Sequence, residues 1–157
     1  MRCHLAWAQS FINANGTASP CCAPIDFGNA NEFAVSDIYT GSSAQQLRRE
    51  LSGTGQTDLS QYCRSCYALK KLEASGIGFD VAYVSDLGSE TERYRQAFPE
   101  YFSNLDRIRA AYIEGVEVPV GSYPIRLEVQ LGENCDIRCI MCWQDHDRLA
   151  EQVYRCD

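Results

Sequence analysis

Apolar and polar positions change period several times along the chain, and each change marks an element. The run Leu5-Ala-Trp-Ala-Gln-Ser-Phe-Ile12, then Asn13-Ala-Asn-Gly16, then Thr17 to Cys22 reads as two arms around a tight reversal. Asn-Gly is the strongest short signal for such a hairpin turn, because both residues tolerate positive φ. Ser42 or Ser43 can cap a helix running through Gln45, Leu47, Arg48 and Leu51 to a stop at Gly53. Gly53 to Ser60 is polar and reads as a loop, and a short helix is predicted from Cys63 through Leu69 and Leu72, ending by Gly76. From Ser89 to about Ile113, the positions Tyr94, Ala97, Phe98, Tyr101, Leu105, Ile108 and Tyr112 recur at helical spacing, broken or kinked around Pro99. Tyr123-Pro-Ile-Arg-Leu-Glu-Val-Gln-Leu131 then alternates apolar and polar residues and predicts a strand leading into Cys135. From Gln144 or Asp145 onward, Leu149 and Val153 suggest the start of a further helix. The expected class is α+β, with no internal repeat and no low-complexity segment.

Composition narrows the partners. A chain of 157 residues with 45% hydrophobic and 11% aromatic residues can bury the core of an ordinary domain. A formal net charge of -7 and the lack of any Lys/Arg run argue against a grip on phosphate backbones, so no nucleic-acid partner is expected. Leu5 to Ile12 is too short, and too interrupted by Gln9 and Ser10, for a signal-peptide core; no stretch approaches a membrane span. No membrane association and a cytoplasmic location are therefore expected. Nine cysteines without a secretion signal point to a reducing compartment, where metal or cluster ligation is favoured over a disulfide framework.

The cysteines fall into two groups. In Cys135-Asp-Ile-Arg-Cys139-Ile-Met-Cys142 the three thiols are separated by three and then two residues. Three thiolates at that spacing can hold three irons of a cubane and leave the fourth open for chemistry. The motif and its place after a strand resemble the radical SAM enzymes, whose Cys-x3-Cys-x2-Cys signature follows the first barrel strand. The resemblance implies that Cys135, Cys139 and Cys142 bind a [4Fe-4S] cluster and that S-adenosylmethionine chelates its fourth iron. It further implies a 5′-deoxyadenosyl radical that abstracts hydrogen from a small-molecule or peptide substrate, and an electron donor such as flavodoxin or ferredoxin. Asp136 stands where the family usually has Asn, and Met141 where an aromatic residue is frequent.

At the other end, Cys3 is followed by twelve residues, Gly16, four residues and Cys21, with Cys63-x2-Cys66 downstream. A hairpin brings its ends together, so Cys3 and Cys21 can approach one site, and Gly16 lets the chain reverse between them. This pattern resembles the auxiliary-cluster region called the SPASM domain, or its reduced form, the twitch domain. The resemblance implies a second, auxiliary [4Fe-4S] cluster on Cys3, Cys21, Cys63 and Cys66. One such cluster is expected rather than two, since Leu69 to Gly76 lacks the further cysteines of a full SPASM domain. The Gly-x4-Cys spacing favours Cys21 over Cys22, which is expected to be a neighbouring or buried thiol. His4 is expected to be a solvated or hydrogen-bonded neighbour of Cys3, Trp7 and Phe11 hairpin core, and Cys156 a spare thiol.

The expected organisation is an auxiliary cluster domain over 1–78, a mainly helical connector over 79–120, and the start of a radical SAM core, a (β/α)6 barrel, over 121–157. The later barrel strands have no sequence before Asp157, so the chain is expected to be a fragment of a longer gene product, with a degenerate remnant as the alternative, and to cleave no S-adenosylmethionine alone. The rival function is a zinc-binding structural module without catalysis, since Cys63-x2-Cys66 and Cys139-x2-Cys142 are both zinc-knuckle spacings. A thiol-disulfide redox site at Cys63-x2-Cys66 ranks last, because a polar loop precedes it where a buried strand is needed.

Overall fold

The structure, a computed structural model, describes residues 3–55, 61–64, 66–76, 78–83, 88 and 90–130. Cys135, Cys139, Cys142, Cys156 and the helix expected from Gln144 lie outside the described residues.

The reversal at Asn13–Gly16 forms, but its first arm is only half a strand. Leu5–Ala8 is a single helical turn (α1), and extended structure begins at Gln9–Ile12 (β1), pairing antiparallel with Thr17–Ser19 (β2). Tertiary contacts explain the helical start. Trp7 is wholly buried, its indole N–H donates to Val116 O at 2.9 Å, and the Tyr39 hydroxyl donates to Trp7 O. A polar group inside a core must find a partner, and this turn supplies two.

Gly16 makes the reversal possible with φ +87°, in the left-handed region that side chains avoid. Its carbonyl accepts from Ala30 N at 2.8 Å, and the Asn29 and Asn31 amides donate to Asn15 O at 3.2 and 3.1 Å. The hairpin tip is thereby tied to a short third strand, Gly28–Asn29 (β3), which pairs antiparallel with β2.

Two helices follow, Val35–Tyr39 (α2) and Ser42–Leu51 (α3). The serine cap expected for α3 is not used: Gly41 is the N-cap, and no side chain caps it. The helix expected from Cys63 is two pieces, Gln61–Arg64 (α4) and Tyr67–Ser75 (α5). Phe79–Tyr83 (α6), Thr91–Ala97 (α7) and Pro99–Glu114 (α8) come next. Pro99 begins α8 at a position where its missing N–H has no helical partner to lose, so the break expected at this residue is a helix start. Gly115 ends α8 in the left-handed conformation, φ 73°.

The predicted C-terminal strand is Arg126–Val129 (β4). It lies parallel to β1, with Ser10 opposite Leu127 and Ile12 opposite Val129, giving a sheet in the order β3-β2-β1-β4. Ile125 N to Ala8 O and Gln130 N to Ile12 O, both 2.8 Å, extend the pairing at either end. The class is α+β, a small sheet with helices around it.

One hydrophobic core runs from Ala6 to Val118, centred on Trp7, Tyr39, Leu47, Leu105, Ile108 and Val118. Two buried amides hold the segment between α8 and β4 against it. Gln45 donates to Val118 O at 2.6 Å and accepts from Val118 N at 3.0 Å; Asn104 does the same with Tyr123 at 2.8 and 3.1 Å. Each amide supplies the donor and acceptor that a neighbouring strand would otherwise provide.

Candidate functional site

Four of the predicted ligands lie within electrostatic reach of one another. Cys3 precedes α1, Cys21 follows β2, Cys63 lies in α4, and Cys66 stands just before α5. All four are half-buried free thiols. A Cys66 thiolate would raise the pKa of Cys3, Cys21 and Cys63, Cys3 that of Cys21 and Cys63, and Cys21 that of Cys63. Burial is the larger effect: it raises the pKa of Cys3 and carries Cys21 and Cys63 up to about 11, with the neighbouring thiols, and Glu50 for Cys63, adding to the rise.

Opposing this, backbone amides point at three of the sulfurs. Cys3 accepts from Leu5 and Ala6, Cys21 from Ala23 at 3.5 Å, and Cys66 from Leu69 at 3.5 Å. Amides two or three residues past a cysteine favour its thiolate and offset negative charge gathered on the sulfurs. Buried thiols that repel one another as thiolates yet receive such donors fit a cationic iron-sulfur core, whose positive charge would offset part of theirs while the amides offset the rest.

Among the described residues no group of three or more His, Cys, Asp or Glu side chains is placed to hold a metal ion.

For two neighbours one of the expected alternatives is excluded. Cys22 is exposed, because the chain turns over after Cys21 and leaves its side chain outside the core. His4 is buried rather than solvated, set edge-on to Tyr83 at 5.4 Å between ring centroids, and burial lowers its pKa. Tyr83 is close enough to Cys3 for the thiolate to help raise its own pKa, after burial. Its ring joins Phe79 and Tyr112 in an aromatic wall reaching Trp7. Trp7 is core as expected; Phe11 is half-buried. The role of Tyr83 had no sequence signal, since it depends on α6 folding back over residue 4.

A cleft of about 500 Å³ lies beside Cys21 and Cys22 and reaches Asn13 and Gln130. Gln130 directly follows β4, five positions before Cys135.

The model of the SPASM family, an iron-sulfur cluster-binding domain, matches residues 3–67, from Cys3 to one residue past Cys66. This supports an auxiliary iron-sulfur domain over that stretch. No curated protein and no solved structure is matched. No helix among the described residues is long and apolar enough to cross a membrane.

Proposed function

We propose that Cys3, Cys21, Cys63 and Cys66 hold one auxiliary [4Fe-4S] cluster, and that the chain belongs to a radical SAM enzyme whose core motif is Cys135-x3-Cys139-x2-Cys142. The observation that supports the reading is that four thiols from separate places in the chain lie within electrostatic reach of one another, three of them receiving backbone N–H groups. The family match to the same stretch supports it. Cys135, Cys139 and Cys142 are proposed, from their spacing, to hold the cluster that binds S-adenosylmethionine.

When bound, a four-thiolate cluster passes single electrons, and a three-thiolate cluster with S-adenosylmethionine at its open iron supplies a 5′-deoxyadenosyl radical to a peptide or small-molecule substrate. The chain's own part is positional. The amides of Leu5, Ala6 and Ala23 favour thiolate charge at Cys3 and Cys21, Leu69 N–H donates to the Cys66 sulfur, and Tyr83 packs edge-on against His4, the residue that follows Cys3. The cleft from Cys21 to Gln130 is the proposed approach for substrate, because it borders one cysteine group and reaches the end of the strand that precedes the other in sequence.

Anaerobic reconstitution tests this. The parent chain should be brown and hold about four irons per cluster. Cys3→Ser, Cys21→Ser, Cys63→Ser and Cys66→Ser should each lower the iron content, while Cys22→Ser should not. A colourless chain that takes up zinc in place of iron and sulfide would overturn the proposal in favour of the structural zinc module.

A further inference from the structure

The sequence holds two lysines, Lys70 and Lys71, and both lie on α5 within a few residues of Cys66. Positions i, i+3 and i+4 of a helix share a face, so Tyr67, Lys70 and Lys71 form one stripe. All three are exposed, and Tyr67, at 77%, is the most exposed aromatic side chain among the described residues. The stripe adjoins the redox ligands directly. Cys66 precedes Tyr67, its sulfur accepts from Leu69 N, and its carbonyl accepts from Lys70 N at 3.2 Å. Arg64, exposed between Cys63 and Cys66 in sequence, is a further cation; Glu50, which acts on Cys63, is an acid near that cysteine. A chain of net charge -7 thus sets a basic and aromatic stripe against the cysteine pair of its candidate cluster.

We propose that the Tyr67, Lys70 and Lys71 face of α5 is the docking surface for a small acidic one-electron carrier protein. The inference rests on the cluster reading above and deepens it by naming where an electron partner meets the chain. Electron-transfer encounters are weak, bury less than about 1,200 Å² and depend on complementary charge for their rate of formation. Two lysines around one aromatic anchor suit so small a contact, since aromatic side chains dominate interface energy and rim charges steer. A nucleic acid would draw on many more phosphate contacts than this stripe offers and would meet a repulsive net charge.

The test is binding of the reconstituted chain to a purified acidic flavodoxin, followed by flavin fluorescence at about 20 mM and about 200 mM salt, where screening differs strongly. The parent should bind at low salt and lose about tenfold in affinity at high salt. The double variant Lys70→Glu/Lys71→Glu should lose about tenfold or more at low salt, and Tyr67→Ser should weaken binding at both. Arg107→Glu, an exposed charge reversal on α8, should bind as the parent does. Failure of the parent to bind, or equal affinity of the double variant and the parent, overturns the docking surface. Visible absorbance of the same samples separates the two readings. A brown chain that does not bind sinks this proposal alone; a colourless chain that binds through the stripe upholds the surface and sinks the cluster.

Discussion

Replacing Gly16 with alanine separates two reasons for a glycine between Cys3 and Cys21. Its φ of +87° lies where an L-residue is strained, at a cost of about 1–2 kcal/mol. A Cβ there would also stand 2.8 Å from Asn31 Cγ and overlap the Asn29 and Asn31 amides. Those amides donate to Asn15 O and tie the hairpin tip to β3. Displacing them removes two hydrogen bonds of about 1 kcal/mol each, for a total of about 3–4 kcal/mol against a typical domain stability of about 5–15 kcal/mol. Gly53 is the internal control, with φ +82° but nothing within 4 Å of an added Cβ, so Gly53→Ala carries the strain without the overlap. Thermal melting of the metal-free chain, followed by circular dichroism, should show Gly16→Ala lowering Tm by roughly 10 °C, taking about 2–4 °C per kcal/mol at this size. Gly53→Ala should lower it by about half as much or less. Equal shifts for the two variants, or a Gly16→Ala melt within about 2 °C of the parent, would refute the argument that the tip is held by its asparagines.

Alkaline pH should distinguish the metal-free chain from the loaded one. Burial raises the folded-state pKa of Cys21 and Cys63 to about 11, so their contribution is present below the unfolded value of about 8.5 and is lost as pH rises toward about 11. Metal-free chain under reductant should therefore lose stability between about pH 8.5 and 9.5, below the range where tyrosines ionise; in Cys21→Ser/Cys63→Ser this slope should flatten, and an unchanged slope would count against burial as the cause. Arg48 is wholly buried, donates to Ala6 O at 2.8 Å, to Tyr39 O at 2.9 Å and to Gln45 Oε1 at 2.8 Å, and lies over the Tyr39 ring. Arg48→Met relieves a buried charge but leaves two core carbonyls without that donor, so urea unfolding should show a net loss of about 2–4 kcal/mol; a variant as stable as the parent would mean that desolvating the guanidinium outweighs its bonds.

Local signals were readable from residue order where a single residue type settles the backbone. Gly16 reverses the hairpin, Pro99 starts α8, and Gly53 and Gly76 take positive φ just past the helices they were expected to end. The meeting of Cys3 with Cys21 likewise follows from a hairpin closing on itself. What residue order did not show depends on partners far away in sequence. Leu5–Ala8 reads equally well as strand, and becomes a helix because Val116 and Tyr39 accept and donate at Trp7. The α2 turn and two-residue β3 are too short to carry a period. The buried position of His4 exists only once Tyr83 has folded over it, and a histidine beside a cysteine carries no mark of that.

The strand ahead of Cys135 shows how far such reasoning reaches. Alternation over Tyr123–Leu131 identifies a strand, but alternation carries no information about its neighbour, because pairing is set by which backbone edge is available. Here the available edge belongs to β1, and Leu127 and Val129 extend the face on which Ile12 is buried while remaining 50% exposed themselves. Gln45 and Asn104 deliver the chain to that edge by clamping Val118 and Tyr123. The strand preceding one cysteine group is therefore hydrogen-bonded to the strand that follows the other group's first ligand. Shifting β4 by one residue along β1 would reverse which of its side chains share the Ile12 face, so the register that brings Gln130 to the cleft beside Cys21 depends on two buried amides outside both cysteine motifs.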